Sequence, residues 1–231
     1  MDLYGKYRPK NFAEVLGQDD VIYILRQQAK YQAFHHSYLF YGPSGTGKTS
    51  TARILASCLN CGKLRSSGDP CGQCQCCRDT LAGKSWDVKE IDCAVFGGVD
   101  SIRDLANKAW FSPVIGKRKA YIFDESHMLT MSAWSALLRL LEEPPPHLVV
   151  ILCTTEDIIN SKKIPETIIS RCELFPFKKL KVVDIKRKLL MIANAEDNGL
   201  DLKKIETIAK ISGGNMRMAE NFLEQAMTAA R

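Results

Sequence analysis

The sequence predicts an α/β fold in which a mostly parallel sheet is covered by helices on both faces and followed by a small helical unit. Apolar segments with strand character alternate with helical patterns over most of the 231 residues. Strands that alternate with helices favour a parallel sheet, because each crossover helix packs on one of its faces. After residues 172–177 (CELFPF) the strand signals end and helical patterns follow.

Four segments rich in β-branched or aromatic residues predict the strands, at residues 37–41, 88–92, 120–124 and 148–155. Apolar residues at helical spacing predict helices at 49–59, 99–110 and 132–143, the last ended by the EEPPP segment. Three further helices are predicted around 182–194, 201–211 and 215–230. We therefore expect two domains, at residues 1–178 and, for a helical lid, at residues 179–231.

The segment GPSGTGKT lies between a predicted strand and a predicted helix, which is the context of a P-loop. Its glycines let backbone N–H groups close around phosphate oxygens, and the N-terminus of the following helix adds a partial positive charge. Lys48 is expected to neutralise the β and γ phosphates of ATP, and Thr49 to bind Mg²⁺. Nine consecutive residues are expected to bind the nucleotide: Gly42, Pro43, Ser44, Gly45, Thr46, Gly47, Lys48, Thr49 and Ser50.

Two adjacent carboxylates, Asp124 and Glu125, follow the third predicted strand, at the edge where open α/β sheets bind their ligands. Asp124 is expected to hold Mg²⁺ together with Thr49. Glu125 is expected to orient and deprotonate the attacking water, which predicts an ATP hydrolase rather than a binding pocket alone. We assign no chemistry to His127, because an ordinary hydrogen bond at the entry of a helix accounts for it.

Five of the nine cysteines lie between positions 61 and 77, which favours a metal site over disulfides in a chain without a secretion signal. Cys61, Cys71, Cys74 and Cys77 have the spacing of four thiolate ligands to structural Zn²⁺, in an insert at about residues 59–80. Cys76 is an alternative to Cys77, although Cys-x-Cys is the poorer tetrahedral chelate. Free cytosolic thiols are the competing interpretation.

Composition limits the classes of protein that fit. No apolar run approaches the roughly 18 residues that span a bilayer, and MDLYGKYRPKNF lacks the apolar region of a signal peptide. We therefore expect a cytoplasmic protein without membrane contact. The net charge of +6 is compatible with a polyanionic partner such as DNA, and equally with lysines on a solvated surface.

Several further motifs accompany these sites: YRPKNFAEVLGQ at residues 7–18, DESHMLTMSAWSALLRLLEEPP, ISRCELF, and GGNMRMAEN at residues 213–221. With the P-loop and the cysteine insert, this set covers nearly the whole chain. It resembles the ATPase subunits of bacterial DNA polymerase III clamp loaders, the gamma/tau family within the AAA+ superfamily. The zinc insert directly after the P-loop helix is the most discriminating of these features.

The resemblance implies further site residues. Thr155 is similar to the sensor that bonds the γ-phosphate or the attacking water, with Thr154 as the alternative. Arg217 resembles the sensor of the lid domain, and Arg171, in the Ser-Arg-Cys motif, resembles the arginine finger that reaches the ATP of a neighbouring subunit. The residues that the family packs near adenine correspond to Tyr7, Arg8 and Pro9.

The resemblance also implies a role, in which ATP hydrolysis drives loading of a sliding clamp onto primed DNA. The implied partners are other clamp-loader subunits in a hetero-oligomeric ring, the clamp and primer–template DNA. The family continues into a helical collar and this sequence ends at Arg231, so we expect the isolated chain to be mostly monomeric. Phe96 and Gly98 depart from the family, which often has basic residues there that contact DNA, and the loop at residues 156–163 is longer than usual.

Three alternatives compete with this interpretation, the first of them within the AAA+ superfamily and the second from a different class of protein. Another AAA+ machine, such as a Holliday-junction branch-migration motor, would not be expected to have the cysteine insert. A zinc-ribbon nucleic-acid module with a vestigial nucleotide fold would lose Lys48, Asp124 or Glu125, and all three are present. A scaffold that binds ATP without turnover remains compatible with the sequence.

Overall fold

The computed structural model describes residues 2–197 and 200–229. In these ranges five parallel strands form one sheet in the order β2-β3-β4-β1-β5. The strands are β1 (Ser37–Tyr41), β2 (Val88–Asp92), β3 (Lys119–Asp124), β4 (Leu148–Thr154) and β5 (Glu173–Pro176). The four strands predicted from the sequence are confirmed, and β5 lies within the CELFPF segment.

Helices connect and follow the strands. Before β2 lie α1 (Leu3–Lys6), α2 (Asp19–Tyr31), α3 (Lys48–Asn60) and α4 (Gln75–Leu81). Between β2 and β5 lie α5 (Cys93–Phe96), α6 (Val99–Ala109), α7 (Met131–Glu142) and α8 (Glu166–Ile169), and the chain continues into α9 (Val182–Ala195), α10 (Leu202–Ile211) and α11 (Met216–Ala229). The predicted end of the last helix, Ala230, lies outside the described residues. None of the helices in the described ranges has the length and apolar character of a membrane span.

The sheet has an apolar core on each face. One face packs against α2 and α3 through residues such as Leu25 and Ile54. The other packs against α6 and α7 through Ile102 and Trp134. The central strand β4 is buried along its whole length, because helices cover both of its faces. A sheet covered in this way presents its loops, and therefore its site, at the carboxyl ends of the strands.

A third apolar core lies among α9, α10 and α11 and contains Ile185, Ile205 and Leu223. Leu3 of α1 is fully buried in the same core, so the N-terminal helix packs with the C-terminal ones. The predicted small helical region is thus confirmed. The domain boundary at residue 178 stays a prediction, and it falls between the end of β5 and the start of α9.

Candidate functional site

The P-loop joins β1 to α3 and is packed against the C-terminal helical region. Gly45 has a φ of +70°, and a Cβ at this position would lie 1.9 Å from the side-chain oxygen of Asn215. The backbone N–H of Met216 donates a hydrogen bond to the Gly45 carbonyl oxygen at 3.0 Å. Only glycine fits here without strain, because a side chain would both oppose the left-handed backbone and meet Asn215.

Lys48 is the first residue of α3 and is 7% exposed. Its ammonium group donates to the carbonyl oxygens of Gly42 and Pro43, each at 2.7 Å. Burial lowers the pKa of Lys48, since the charged form loses hydration. The side chain therefore lies folded against the loop whose amides would bind phosphate oxygens.

Asp124 ends β3, and one strand, β4, lies between β3 and β1. The hydroxyl of Thr49 donates to both carboxylate oxygens of Asp124, at 3.0 Å each. Burial raises the pKa of Asp124, and the hydrogen bond from Thr49 opposes that rise. A hydroxyl and a carboxylate at this separation provide the oxygen ligands that Mg²⁺ prefers, so the pair fits a magnesium site.

Glu125 follows Asp124 with a φ of +49°. The hydroxyl of Thr155 donates to Glu125 Oε2 at 3.2 Å. Thr154 is fully buried instead, and its hydroxyl oxygen lies 3.1 Å from His127 Nδ1 and accepts the N–H of Glu156. Neighbouring residues at a strand end point to opposite faces, so Thr155 alone of the two threonines meets Glu125.

His127 connects the ends of β3 and β4. Its Nδ1 lies 3.6 Å from Glu125 Oε2, and its Nε2 lies 3.9 Å from Glu156 Oε1. Glu156 in turn pairs with Lys163 at 2.6 Å. The sequence predicts no more than an ordinary hydrogen bond for His127, whereas its ring lies near the carboxylate that is the candidate base.

A cavity of about 320 Å³ lies between the P-loop, the end of β3 and the helical region. Most of the residues predicted to bind nucleotide or to catalyse line it: Arg8, Pro9, Ser44, Gly45, Thr46, Gly47, Lys48, Thr49, Ser50, Asp124, Glu125, Thr155 and Arg217. Four predicted residues are not among those that line this cavity: Tyr7, Gly42, Pro43 and Arg171. Folding therefore brings the two carboxylates, the P-loop and the lid arginine to one place.

Tyr4 lines the cavity and is not among the site residues that the sequence predicts. Its hydroxyl accepts hydrogen bonds from Arg8 at 2.6 Å and from Arg217 at 2.7 Å. Both guanidinium groups also lie over its ring, with centroid distances of 4.9 Å and 4.5 Å. Tyr4 thus holds two cations at the cavity wall, and no local pattern in the sequence signals this contact.

Tyr7 and Arg171 lie elsewhere. The Tyr7 hydroxyl donates to Glu196 at 2.6 Å, and its carbonyl oxygen accepts from Lys188 at 3.0 Å, so Tyr7 packs with the helical region. Arg171 forms an ion pair with Glu142 at 2.7 Å within its own chain. Its guanidinium is partly exposed and lies outside the cavity.

The four predicted metal ligands lie together. The sulfur atoms of Cys61, Cys71, Cys74 and Cys77 are all within 4.8 Å of one another. Cys74 is the N-cap residue of α4 and Cys77 lies three residues further, on the same face of that helix, whereas Cys76 is not one of the four clustered residues. The structure therefore groups Cys77 rather than Cys76 with the other three.

Without a metal, the surroundings of the cluster favour the thiolate form at one sulfur, Cys71, whereas burial raises the pKa of Cys61 and of Cys77. Cys71 Sγ accepts backbone N–H groups from Gln73 at 3.4 Å and from Cys74 at 3.3 Å. Although burial acts to raise it, these N–H groups lower the pKa of Cys71 to about 6. Four sulfur atoms at this spacing, with backbone donors aimed at one of them, fit a tetrahedral Zn²⁺.

An exposed apolar segment lies between α6 and β3, at the amino end of β3. Trp110 and Phe111 are 57% and 69% exposed. The loop that follows them is fixed, because the buried carboxylate of Asp87 accepts the N–H groups of residues 114, 115 and 116 at 2.6 to 2.8 Å. Asn60 holds the next two N–H groups, of Lys117 and Arg118, at 2.9 Å.

Comparisons with known sequences agree over most of the chain. A family model described as "DNA polymerase III, delta subunit" matches residues 17–181. The chain is 42% identical over 226 residues to the DNA polymerase III subunit tau of Bacillus subtilis (strain 168), covering 98% of this chain and 39% of that protein. It is 39% identical over 225 residues to the tau subunit of Escherichia coli (strain K12), covering 97% and 34%. The chain thus spans two fifths or less of these relatives.

Comparisons with solved structures support the fold. RuvB of Thermotoga maritima, described as a Holliday junction branch migration motor, superposes with a TM-score of 0.69 at 20% identity. The match covers 96% of this chain and 65% of that one. At this identity the likeness shows a shared AAA+ fold and nothing about the reaction that the chain performs.

Proposed function

The chain belongs to the DNA polymerase III subunit family, with gamma/tau subunits among its relatives, and we propose that it is an ATPase that loads a sliding clamp onto primed DNA. The family, with its DNA polymerase III subunits, supports a role in DNA replication. Clamp loading is our inference for this chain, since it spans 39% of the tau subunit of B. subtilis. We place the protein in the cytoplasm, because the relatives it matches are subunits of a DNA polymerase.

One observation carries the proposal of ATP hydrolysis: a phosphate loop, a magnesium pair and a candidate base line a single cavity. Lys48 would neutralise the phosphates, and Thr49 with Asp124 would hold Mg²⁺, which when bound supplies charge stabilisation for phosphoryl transfer. Glu125 would accept the proton of the attacking water. A pocket that only binds nucleotide does not need a carboxylate in this place.

Thr155 and Arg217 complete the proposed site. Thr155 donates to Glu125 Oε2, so the same hydroxyl can orient a water that bridges the carboxylate and the phosphate. Arg217 extends from α11 to the cavity, where Tyr4 fixes its guanidinium. Its charge would interact with the phosphates. Because Arg217 lies on α11, this interaction would couple nucleotide binding to the position of the helical unit.

Arg171 is proposed to act in the site of a neighbouring subunit. Its contact with Glu142 lies outside the chain's own cavity, so it cannot reach the nucleotide bound there without leaving that position. An ion pair between two partly exposed side chains is weak, about 0–1 kcal/mol, and can be exchanged for a phosphate in a partner. The ring of subunits would therefore complete the active site.

The cysteine cluster is proposed to be a structural zinc site. Four thiolates leave no open coordination position, so a catalytic role is excluded by the ligand set. The metal would tie the end of α3 to α4 and fold the insert at residues 59–80. A branch-migration motor would not be expected to have such an insert.

The exposed Trp110 and Phe111 support a protein partner. Large aromatic side chains are typical anchors of interfaces, because they bury much surface and lose little conformational freedom on binding. We propose the sliding clamp as that partner and primer–template DNA as the ligand of the assembled ring. The backbone amides at the N-terminus of α6 and the side chain of Lys108 are the candidates for phosphate contact.

The experiment that tests this function combines the chain with candidate ring subunits. We expect a stable complex whose ATP turnover rises when the clamp and primed DNA are added together. Clamp loading is measured directly by the appearance of clamp on circular primed DNA. An assembled complex that binds ATP without hydrolysing it would instead identify a nucleotide-gated scaffold.

A further inference from the structure

Glu220 is a buried carboxyl group in the wall of the nucleotide cavity. It lies on α11, three residues after Arg217, and is 3% exposed. Among the residues that the structure describes, none donates a hydrogen bond to this carboxyl group, and no Lys or Arg nitrogen forms an ion pair with it. A buried polar group is normally paired, so an unpaired one that faces a cavity indicates a ligand.

The surroundings of Glu220 differ from those of the phosphate site. The charged groups that act on it are Lys188, Asp2, Arg217 and Arg8. The candidate catalytic carboxylates, Asp124 and Glu125, are not among these charges. Apolar side chains line the same cavity: Val15, Leu16, Leu180 and Met216. An apolar wall with one polar group suits a flat nucleobase, whereas the P-loop suits phosphates.

The raised pKa of Glu220 agrees with a carboxyl group that receives no hydrogen bond from the part of the protein that the structure describes. Burial raises the pKa of Glu220 to about 8, and the cations Lys188, Arg217 and Arg8 oppose that rise without cancelling it. A carboxyl group can accept an N–H hydrogen bond whether it is neutral or ionised, through its carbonyl or carboxylate oxygen. A ligand amine would therefore satisfy it in either state.

We propose that Glu220 is a specificity-determining residue for the nucleobase and accepts a hydrogen bond from the exocyclic amine of adenine. The proposal rests on the proposed ATP site and adds the residue that reads the base. Ribose hydroxyl groups are the other donors that a nucleoside offers, and the test distinguishes them from the amine.

The test deletes the donor from the ligand and the acceptor from the protein in turn. Binding of ATP and of purine riboside triphosphate, which lacks the 6-amine, is measured by calorimetry for the wild type, Glu220→Leu and Glu220→Gln. We expect the wild type to lose about tenfold in affinity when the amine is absent. Glu220→Leu should bind both nucleotides equally, and Glu220→Gln, which keeps an acceptor oxygen, should retain the preference.

The matched control is Glu206→Gln, which removes a carboxylate from α10 outside the cavity and should leave the ratio unchanged. Binding of 2′-deoxy-ATP and 3′-deoxy-ATP tests the ribose. A Glu220-dependent loss with a deoxy analogue, or a wild type indifferent to the 6-amine, overturns the proposal. A wild type that binds no nucleoside triphosphate overturns the ATP site itself. Failure of the Glu220 proposal and failure of the proposed function are therefore distinguishable.

Discussion

The backbone N–H of Met216 donates a hydrogen bond to the carbonyl oxygen of Gly45, at 3.0 Å, across 171 positions of sequence. This contact joins the P-loop to the first turn of α11, and the side chain of Asn215 packs on the same glycine. A shift of the P-loop on nucleotide binding would therefore act directly on the helical region. The arrangement provides a direct physical link between the candidate phosphate site and the helical region that carries Arg217.

Gly45→Ala should weaken both the fold and ATP binding. The new Cβ opposes a positive φ, at about 1 kcal/mol, and it meets Asn215, which adds about 1–3 kcal/mol of overpacking. Gly213→Ala is the control, since its φ of +60° carries the backbone cost while its Cβ has nothing within 4 Å. Urea unfolding and ATP titration measure the two effects. Equal losses for the two variants would show that the contact with Asn215 is unimportant.

The sheet and the P-loop were predictable because their signals are local. The apolar runs that form β1 to β4 stand out from their neighbours, and GPSGTGKT has one common structural context. Thr155 as the sensor, with Thr154 as the alternative, stays a prediction that rests on the family resemblance, because alternation at a strand end says that one of two neighbours faces the site without saying which.

Contacts between segments that are far apart in the chain could not be predicted from the sequence. Tyr4 and Arg217 are 213 positions apart, and nothing in either segment indicates the other. Glu220 did have a signal, since it lies three positions before Leu223 and seven before Met227, on the buried face of α11. A carboxylate at an apolar position of an amphipathic helix predicts a functional or paired group.

Lys48 and Glu125 should have separable roles. Lys48→Ala removes the positive charge at the phosphates and should lower ATP affinity by tenfold or more. Glu125→Gln keeps the shape of the side chain but cannot take a proton, so it should retain ATP affinity and lose turnover. Nucleotide titration and single-turnover hydrolysis in the assembled complex measure both. Normal hydrolysis by Glu125→Gln would show that another group is the base.

Metal removal should unfold the insert at residues 59–80. Elemental analysis is expected to find about one zinc per chain, and Cys71→Ser should release it and destabilise α4. Cys76→Ser is the matched control, because Cys76 lies in the same insert, on α4, but outside the cluster. It should keep both the metal and the melting temperature. Zinc loss from the control, or full folding of the metal-free protein, would contradict the assignment.

Glu220 should make the fold less stable as pH rises. The folded state keeps its proton up to about pH 8, whereas the unfolded chain loses it near pH 4.3. The folded state therefore binds more protons in this window, and the free energy of unfolding falls as pH increases.

Glu220→Gln should remove that fall, because the amide does not titrate. At pH 8 the variant is expected to be more stable than the wild type by about 2–4 kcal/mol, and at pH 4 by much less. Lys188, Arg217, Arg8 and Asp2 are unchanged in the variant, so their titration cancels in the comparison. Urea unfolding at both pH values measures the difference. A stability difference that is the same at both would indicate that Glu220 is ionised in the folded state.

Arg171 should act only on the nucleotide of a neighbour. The isolated chain is expected to hydrolyse ATP slowly, and assembly with partner subunits should raise turnover by about 10³-fold or more, as an arginine finger can. Arg171→Ala should abolish that rise and leave the ATP affinity of the isolated chain nearly unchanged, since Arg171 lies outside its own cavity. Glu142→Gln, which removes the ion-pair partner alone, is the control and should keep the rise.

Mixing two inactive variants gives the decisive measurement. A chain with Lys48→Ala keeps its finger and lacks its phosphate lysine, whereas a chain with Arg171→Ala has the opposite defect. In an assembly that places the first beside the second, the finger of one completes the site of the other, and turnover should return. If Arg171→Ala instead lowers the basal rate of a verified monomer, the arginine acts within its own chain and the inter-subunit mechanism fails.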